Sequence, residues 1–125
     1  MWVMEPDLFE RLVVEALDAL PEEFRQHLDN VEVVVEDWPD AHTLRLAGVR
    51  SRWGLLGFYH GVPQTQRTTS YALVPPDRIS IYRYPILHVC RTAVEVREMV
   101  GRVVRHEIAH HFGISDDRLH ELGAY

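Results

Sequence analysis

The spacing of apolar residues changes period several times along this chain. Between Asp7 and Leu20, the residues Leu8, Leu12, Val13, Ala16, Leu17 and Leu20 recur at helical intervals behind Pro6, which predicts a first helix. Pro21 interrupts that pattern and is expected to open a second short helix over Glu22–Leu28. After Asp29-Asn30, the run Val31-Glu32-Val33-Val34-Val35-Glu36 is β-branched and predicts a strand, which Asp37-Trp38-Pro39-Asp40 ends. Residues 41–53 place Leu44, Leu46 and Val49 in a spacing that fits either a loop or a short helix. Leu55-Leu56-Gly57-Phe58-Tyr59 predicts a second strand. From Gly61 to Asp77, three prolines and a Gln/Thr/Ser cluster predict a long exposed loop, a feature often functional in a small domain. Arg78-Ile79-Ser80-Ile81-Tyr82 alternates and predicts a third strand, ended by Pro85. The helical period returns from Thr92 to Phe112, with Gly113 as its left-handed stop. Ser115 is placed to cap a last short helix running from Asp116 towards Leu122. Helices precede, surround and follow a small sheet, so the expected class is α+β, a few-stranded mixed sheet packed on the long helix.

Composition narrows the picture further. At 125 residues, residues 1–125 are expected to form one domain around one core. A hydrophobic share of 46% with 26% charged residues is that of an ordinary soluble globular chain. The net charge of -6 argues against a nucleic-acid partner, because phosphate affinity needs clustered positive charge. Cys90 is the only cysteine, which rules out an intrachain disulfide and a CxxC-type metal site. Met1-Trp2-Val3-Met4-Glu5-Pro6-Asp7 has no basic region leading into an apolar run, and no apolar stretch approaches a membrane span. A cytoplasmic protein without a membrane partner is the expectation.

The candidate chemistry is concentrated in His106-Glu107-Ile108-Ala109-His110-His111-Phe112-Gly113-Ile114-Ser115-Asp116, which reads H-E-x-x-H-x-x-G-x-x-D. Two histidines four apart on a helix project from one face, near enough to ligate a single zinc ion. Glu107 between them is placed to activate a water on that metal. With His106 at zero and about 100° per residue, His110 falls near 40° and Glu107 near 100°. Met99, Val103, Val96, Val100 and Val104 occupy roughly 20° to 160° of the same wheel, so the two histidines sit at the margin of the buried stripe. Two histidines cannot close a tetrahedral site; Gly113 lets the backbone leave the helix, and the Asp116 carboxylate can return as third ligand. The adjacent Asp117 and the later His120 are alternatives for that position. The bland reading is a surface helix carrying chance histidines, against which the glycine and aspartate stand at the right spacing.

Other residues attract weaker readings. His111 falls near 140°, inside the apolar stripe, so packing is expected of it rather than ligation. His27, His42, His60 and His88 show no ligand spacing and are expected on the surface or in loops. One of Tyr59, Tyr82, Tyr84 and Tyr125 is in the right region to hydrogen-bond a tetrahedral intermediate, without a basis for choosing. Cys90 has no nucleophile context and is expected to be buried and inert.

Taken together, these residues resemble the zincin metallopeptidases, and in particular the small bacterial minimal zincins. Leu55-Leu56-Gly57-Phe58-Tyr59-His60-Gly61-Val62-Pro63 looks like that family's L-G-x-Y-x-G-x-P segment, and Pro76 to Tyr82 followed by Pro85-Ile86 looks like its second marker. His106 to Leu122 looks like the third. The resemblance implies a compact fold of a few strands backed by the active-site helix. It also implies His106, His110 and Asp116 as zinc ligands, Glu107 as general base, and a peptide or protein substrate. Peptide-bond hydrolysis is the activity expected. An extended peptide would pair with a strand edge, either Leu55–Tyr59 or Arg78–Tyr82. One departure is that no methionine follows Asp116, so the methionine turn of the metzincins is missing. The competing reading is a metal-binding interaction module that uses the zincin scaffold without turnover.

Overall fold

The computed structural model of the chain describes residues 3–26, 28, 31–61 and 77–113. Helix α1 (Pro6–Asp18) and the single turn α2 (Glu22–Arg25) precede strand β1 (Val31–Glu36), helix α3 (Ala41–Ala47) and a 3-10 turn (Arg52–Gly54). Strands β2 (Gly57–His60) and β3 (Asp77–Tyr82), helix α4 (Arg83–Val89) and the long helix α5 (Ala93–His111) follow. The class is α+β, as the periodicities predict. The three strands form one mixed sheet in the order β1-β3-β2, with β1 parallel and β2 antiparallel to β3.

β3 is therefore central, and its parity organises the molecule. Asp77, Ile79 and Ile81 share one face, and Gly57 and Tyr59 stand opposite Ile81 and Ile79 on that same face. Helix α5 lies against β2 and β3 there, and α1 packs on α5. Phe9, Leu12 and Val13 of α1 join Ile79, Ile81, Val96, Val100, Val104 and Ile108 in one buried cluster. The other face carries Ser80 and Tyr82, which are also buried. Burial raises the Tyr82 phenol above its ordinary value of 10.0.

Two elements go beyond the sequence reading, the first by settling a stretch it left open between loop and helix. Residues 41–53 resolve into α3 and the 3-10 turn. The Asp40 side chain accepts from the Thr43 N–H at 2.7 Å, and Gly48 leaves the helix in the left-handed conformation at φ 71°. That hydrogen bond also lowers the Asp40 carboxyl below its ordinary 3.8. The second difference is α4, which begins directly at the end of β3 and contains Pro85, the residue expected to do no more than end the strand. At the third helical position proline breaks nothing, because the first-turn N–H groups have no helical partner. Arg83 anchors this junction: it is buried, and it donates to Asp37 Oδ1 from Nη2 at 2.9 Å and from Nε at 3.1 Å. Among the described residues, no helix is long and apolar enough to cross a membrane.

Candidate metal centre

Five valines in a helix of 19 residues are a poor local choice. Each costs up to about 0.7 kcal/mol relative to alanine. Val96, Val100, Val103 and Val104 are buried, and each contributes roughly 1.5–3 kcal/mol on burial, so packing decides the outcome. The start of α5 is set locally: Thr92 Oγ1 accepts from the Glu95 N–H at 3.1 Å, while the Glu95 carboxylate accepts from the Arg91 N–H at 3.4 Å. Its end is set by Gly113 at φ 69°, as the sequence predicts.

The last two turns of α5 bring His106, Glu107 and His110 together. One donor atom from each lies within 4.8 Å of the others, close enough for a single ion to be shared. The two imidazole rings are 4.7 Å apart between centroids, and His110 Nδ1 is 3.4 Å from Glu107 Oε1. Among the described residues this is the one group of three His, Cys, Asp or Glu side chains so arranged. Exposure separates their roles. Glu107 is 6% exposed, whereas the His110 side chain is 46% exposed and His106 is half-buried. The histidines stand at the margin of the core, and the carboxylate is held inside it. Asp116, Asp117, His120 and Tyr125 lie outside the described residues, as does most of the 61–77 loop.

Glu107 is confined by the strand beside it. A Cβ built on Gly57 would stand 2.6 Å from Val103 Cγ1 and 3.4 Å from Glu107 Cγ. Glycine at this position lets the β2 backbone pack directly on the Val103 and Glu107 side chains of the helix. Among the described strands β2 lies at the edge, while β3 is hydrogen-bonded on both sides. Arg78–Tyr82 is thereby removed as a site of peptide pairing, and the Leu55–Tyr59 segment remains. A cleft of about 360 Å³ opens between Leu55-Leu56-Gly57 and the Met99, Val103 and His106 face of α5.

His111 turns the other way, as its wheel position predicts. It is fully buried, and its Nδ1 donates to Asp77 Oδ2 at 2.8 Å. The Tyr59 hydroxyl donates to the same oxygen at 2.5 Å. Gly61 closes over the group, since a Cβ there would meet the Asp77 carboxylate in a severe clash. This buried knot ties the start of β3 and the end of β2 to the last turn of α5. Sequence reasoning singles out Tyr59 and His111 separately and passes over Asp77, whose one signal is its place in the second family-like segment.

The remaining candidates fall away from the centre. His60 points to the opposite sheet face, where its Nε2 is 3.4 Å from Ser80 Oγ. Burial, and then the Arg78 charge, push its pKa below the ordinary 6.5. It is a strand residue rather than a loop one. His42 and His88 are exposed on α3 and α4, the latter against Trp53 with ring centroids 4.5 Å apart. Tyr84 stacks on Trp38 at 5.2 Å. Cys90 is buried, and that burial raises its thiol above the ordinary 9.0, which suits an inert side chain.

No curated protein matches the chain. Among solved structures, a conserved hypothetical protein from Thermo thermophilus is 22% identical, with a TM-score of 0.54 over 87% of this chain and 94% of its own. At that identity the likeness shows a shared fold. The profile of the family described as zincin-like metallopeptidase matches residues 28–124, which include all three strands and the whole of α5. By that match the chain belongs to the zincin-like metallopeptidase family.

Proposed function

We propose that the chain is a zinc-dependent peptidase, with His106, His110 and Asp116 holding the ion and Glu107 acting as general base. The observation that carries this reading is the convergence of His106, Glu107 and His110, of which His106 and Glu107 line a cleft beside β2. Two imidazoles and a carboxylate that leave one position open suit zinc best among the divalent ions. When bound there, zinc supplies a Lewis acid that polarises a carbonyl and acidifies water.

The chain's own groups would do the rest. Glu107 takes a proton from the attacking water on a carboxylate oxygen and later delivers it to the leaving amine. Glu107 is 6% exposed and lies beside Gly57, which keeps its carboxylate close to the two histidines. Among the described strands β2 is paired on one side only, and its other side would offer backbone donors and acceptors to an extended peptide lying across the cleft. Residues 1–125 act in this reading as one domain, working in the cytoplasm.

The test is Glu107→Gln in zinc-loaded protein. Zinc binding should be retained while cleavage of a peptide library falls by about 10²–10⁴-fold or more. Full activity in Glu107→Gln would remove the assigned mechanism.

A further inference from the structure

A second pocket, of about 160 Å³, lies where α1 packs on α5. Around α5, Arg105 stands about 100° from His106 and about 140° from His110, so this pocket and the motif occupy different faces of the helix. The buried Leu12 and Leu20 and the half-buried Ala16 give it an apolar floor, and the exposed Glu15 and Arg97 and half-buried Arg105 form its rim. Arg97, Gly101 and Arg105 follow one another at i, i+4 and i+8, in one row along the helix. Glycine is unfavourable in a helix interior. Close packing does not require it here: among the described residues, a Cβ at Gly101 would meet Arg105 and nothing else within 4 Å, at 3.0 Å from Nη1 and 3.9 Å from Cζ. What the glycine provides is open space with a guanidinium laid across it.

The two arginines differ in what they hold. Arg97 Nε is 3.1 Å from the Glu15 carboxylate of α1. Arg105 has no hydrogen-bond or ion-pair partner among the described residues, and its helix neighbours at three and four positions, Gly101, Arg102, Ile108 and Ala109, supply no carboxylate. Two guanidinium groups against one carboxylate leave the rim positive, on a chain whose net charge is -6. We propose that this pocket binds a monocarboxylate with a short aliphatic tail, the carboxylate on Arg105 and the tail against Leu12, Ala16 and Leu20. A guanidinium fork matches the two oxygens of a carboxylate, and the apolar floor has no donors for the further oxygens of a phosphate. The volume is near that of a cavity that holds one benzene ring, which limits the tail to about four to six carbons. A free branched acid and the leucine carboxyl terminus of a peptide present this same chemistry.

The test is a titration of protein carrying 15N-arginine, without added metal, followed at the arginine Nε–H signals. Arg105→Gln and Arg97→Gln each remove one signal and so assign the two that matter. The probes are isocaproate, acetate, isohexanol and inorganic phosphate. Isocaproate should shift the Arg105 signal and bind at least about tenfold tighter than acetate, which lacks the tail, and isohexanol, which lacks the charge. In Arg105→Gln, followed at Arg97, its affinity should fall at least about tenfold. Gly101→Leu fills the space and should abolish binding; were it not to fold, Arg105→Gln decides. Phosphate or acetate binding as tightly as isocaproate would reduce the rim to a charged patch, and isohexanol doing so would reduce the floor to an apolar groove. Either result, or isocaproate affinity unchanged in Arg105→Gln, would overturn the proposal. N-acetyl Ala-Ala-Leu, as acid and as amide, separates the two sources. Binding of the acid but not the amide makes a peptide terminus the ligand, and isocaproate binding with neither makes it a free acid. Peptide cleavage enters none of these measurements, so the pocket stands or falls independently of the proposed peptidase.

Discussion

Removing the Asp77 carboxylate would take the acceptor from two donors at once, the Tyr59 hydroxyl and His111 Nδ1. Asp77→Ala is therefore expected to lower stability by about 2–4 kcal/mol, read from urea unfolding. A loss within about 0.5 kcal/mol, the usual range for surface substitutions, would mean that the knot holds nothing. Asp77→Asn should cost less, since its amide oxygen still accepts. At this scale the histidines and glutamate of the motif are legible, because their chemistry is written in a four-residue spacing. The inward direction of His111 is legible too, from the phase of the apolar stripe. Its partner is not. Asp77 is 34 positions away, beside a proline-rich segment, and a buried acceptor leaves no local pattern that names its donor.

Helix α5 depends on one cap at its start and on burial along its length. Thr92→Ala removes the side-chain acceptor of the Glu95 N–H and should destabilise the protein by about 1 kcal/mol in chemical denaturation. It should leave the motif's metal affinity unchanged, since His106 lies almost four turns further on. If affinity fell tenfold instead, the helix would be transmitting disorder from its first turn to its last. Strong periodicity makes this helix and α1 readable, and β-branched runs make β1 and β3 readable. α3 is readable only from its ends, Asp40 and Gly48, because its apolar residues are too few to declare a period. α4 is concealed by Pro85, which marks a boundary in most contexts and is harmless in a first turn. Strand order is not readable at all. Local pattern identifies strands, but the central place of β3 follows from its pairing with both β1 and β2, which are distant from it in sequence.

At the scale of the molecule, the buried apolar core around Ile79, Ile81, Val100 and Val104 includes none of the candidate ligands His106, Glu107 and His110. A metal at the motif is then expected to be a ligand of a folded protein, unlike a structural zinc that a small domain needs in order to fold. Chelation should leave the far-ultraviolet circular dichroism unchanged. Zinc at about 100 times its dissociation constant should add about 2.7 kcal/mol to stability and raise the melting temperature accordingly. Loss of secondary structure on chelation would contradict this, as would an equal zinc-induced shift in a His106→Ala/His110→Ala variant. The knot at His111 bears on the same point through rotation. His110 and His111 are consecutive, about 100° apart around the helix. One is held inward by Asp77, so the bearing of the other is indexed to the sheet. α5 cannot roll about its axis to suit a larger or smaller ion without breaking a buried bond. Selectivity among metals would then be a question of angle, enforced from the side of the helix that never meets the ion.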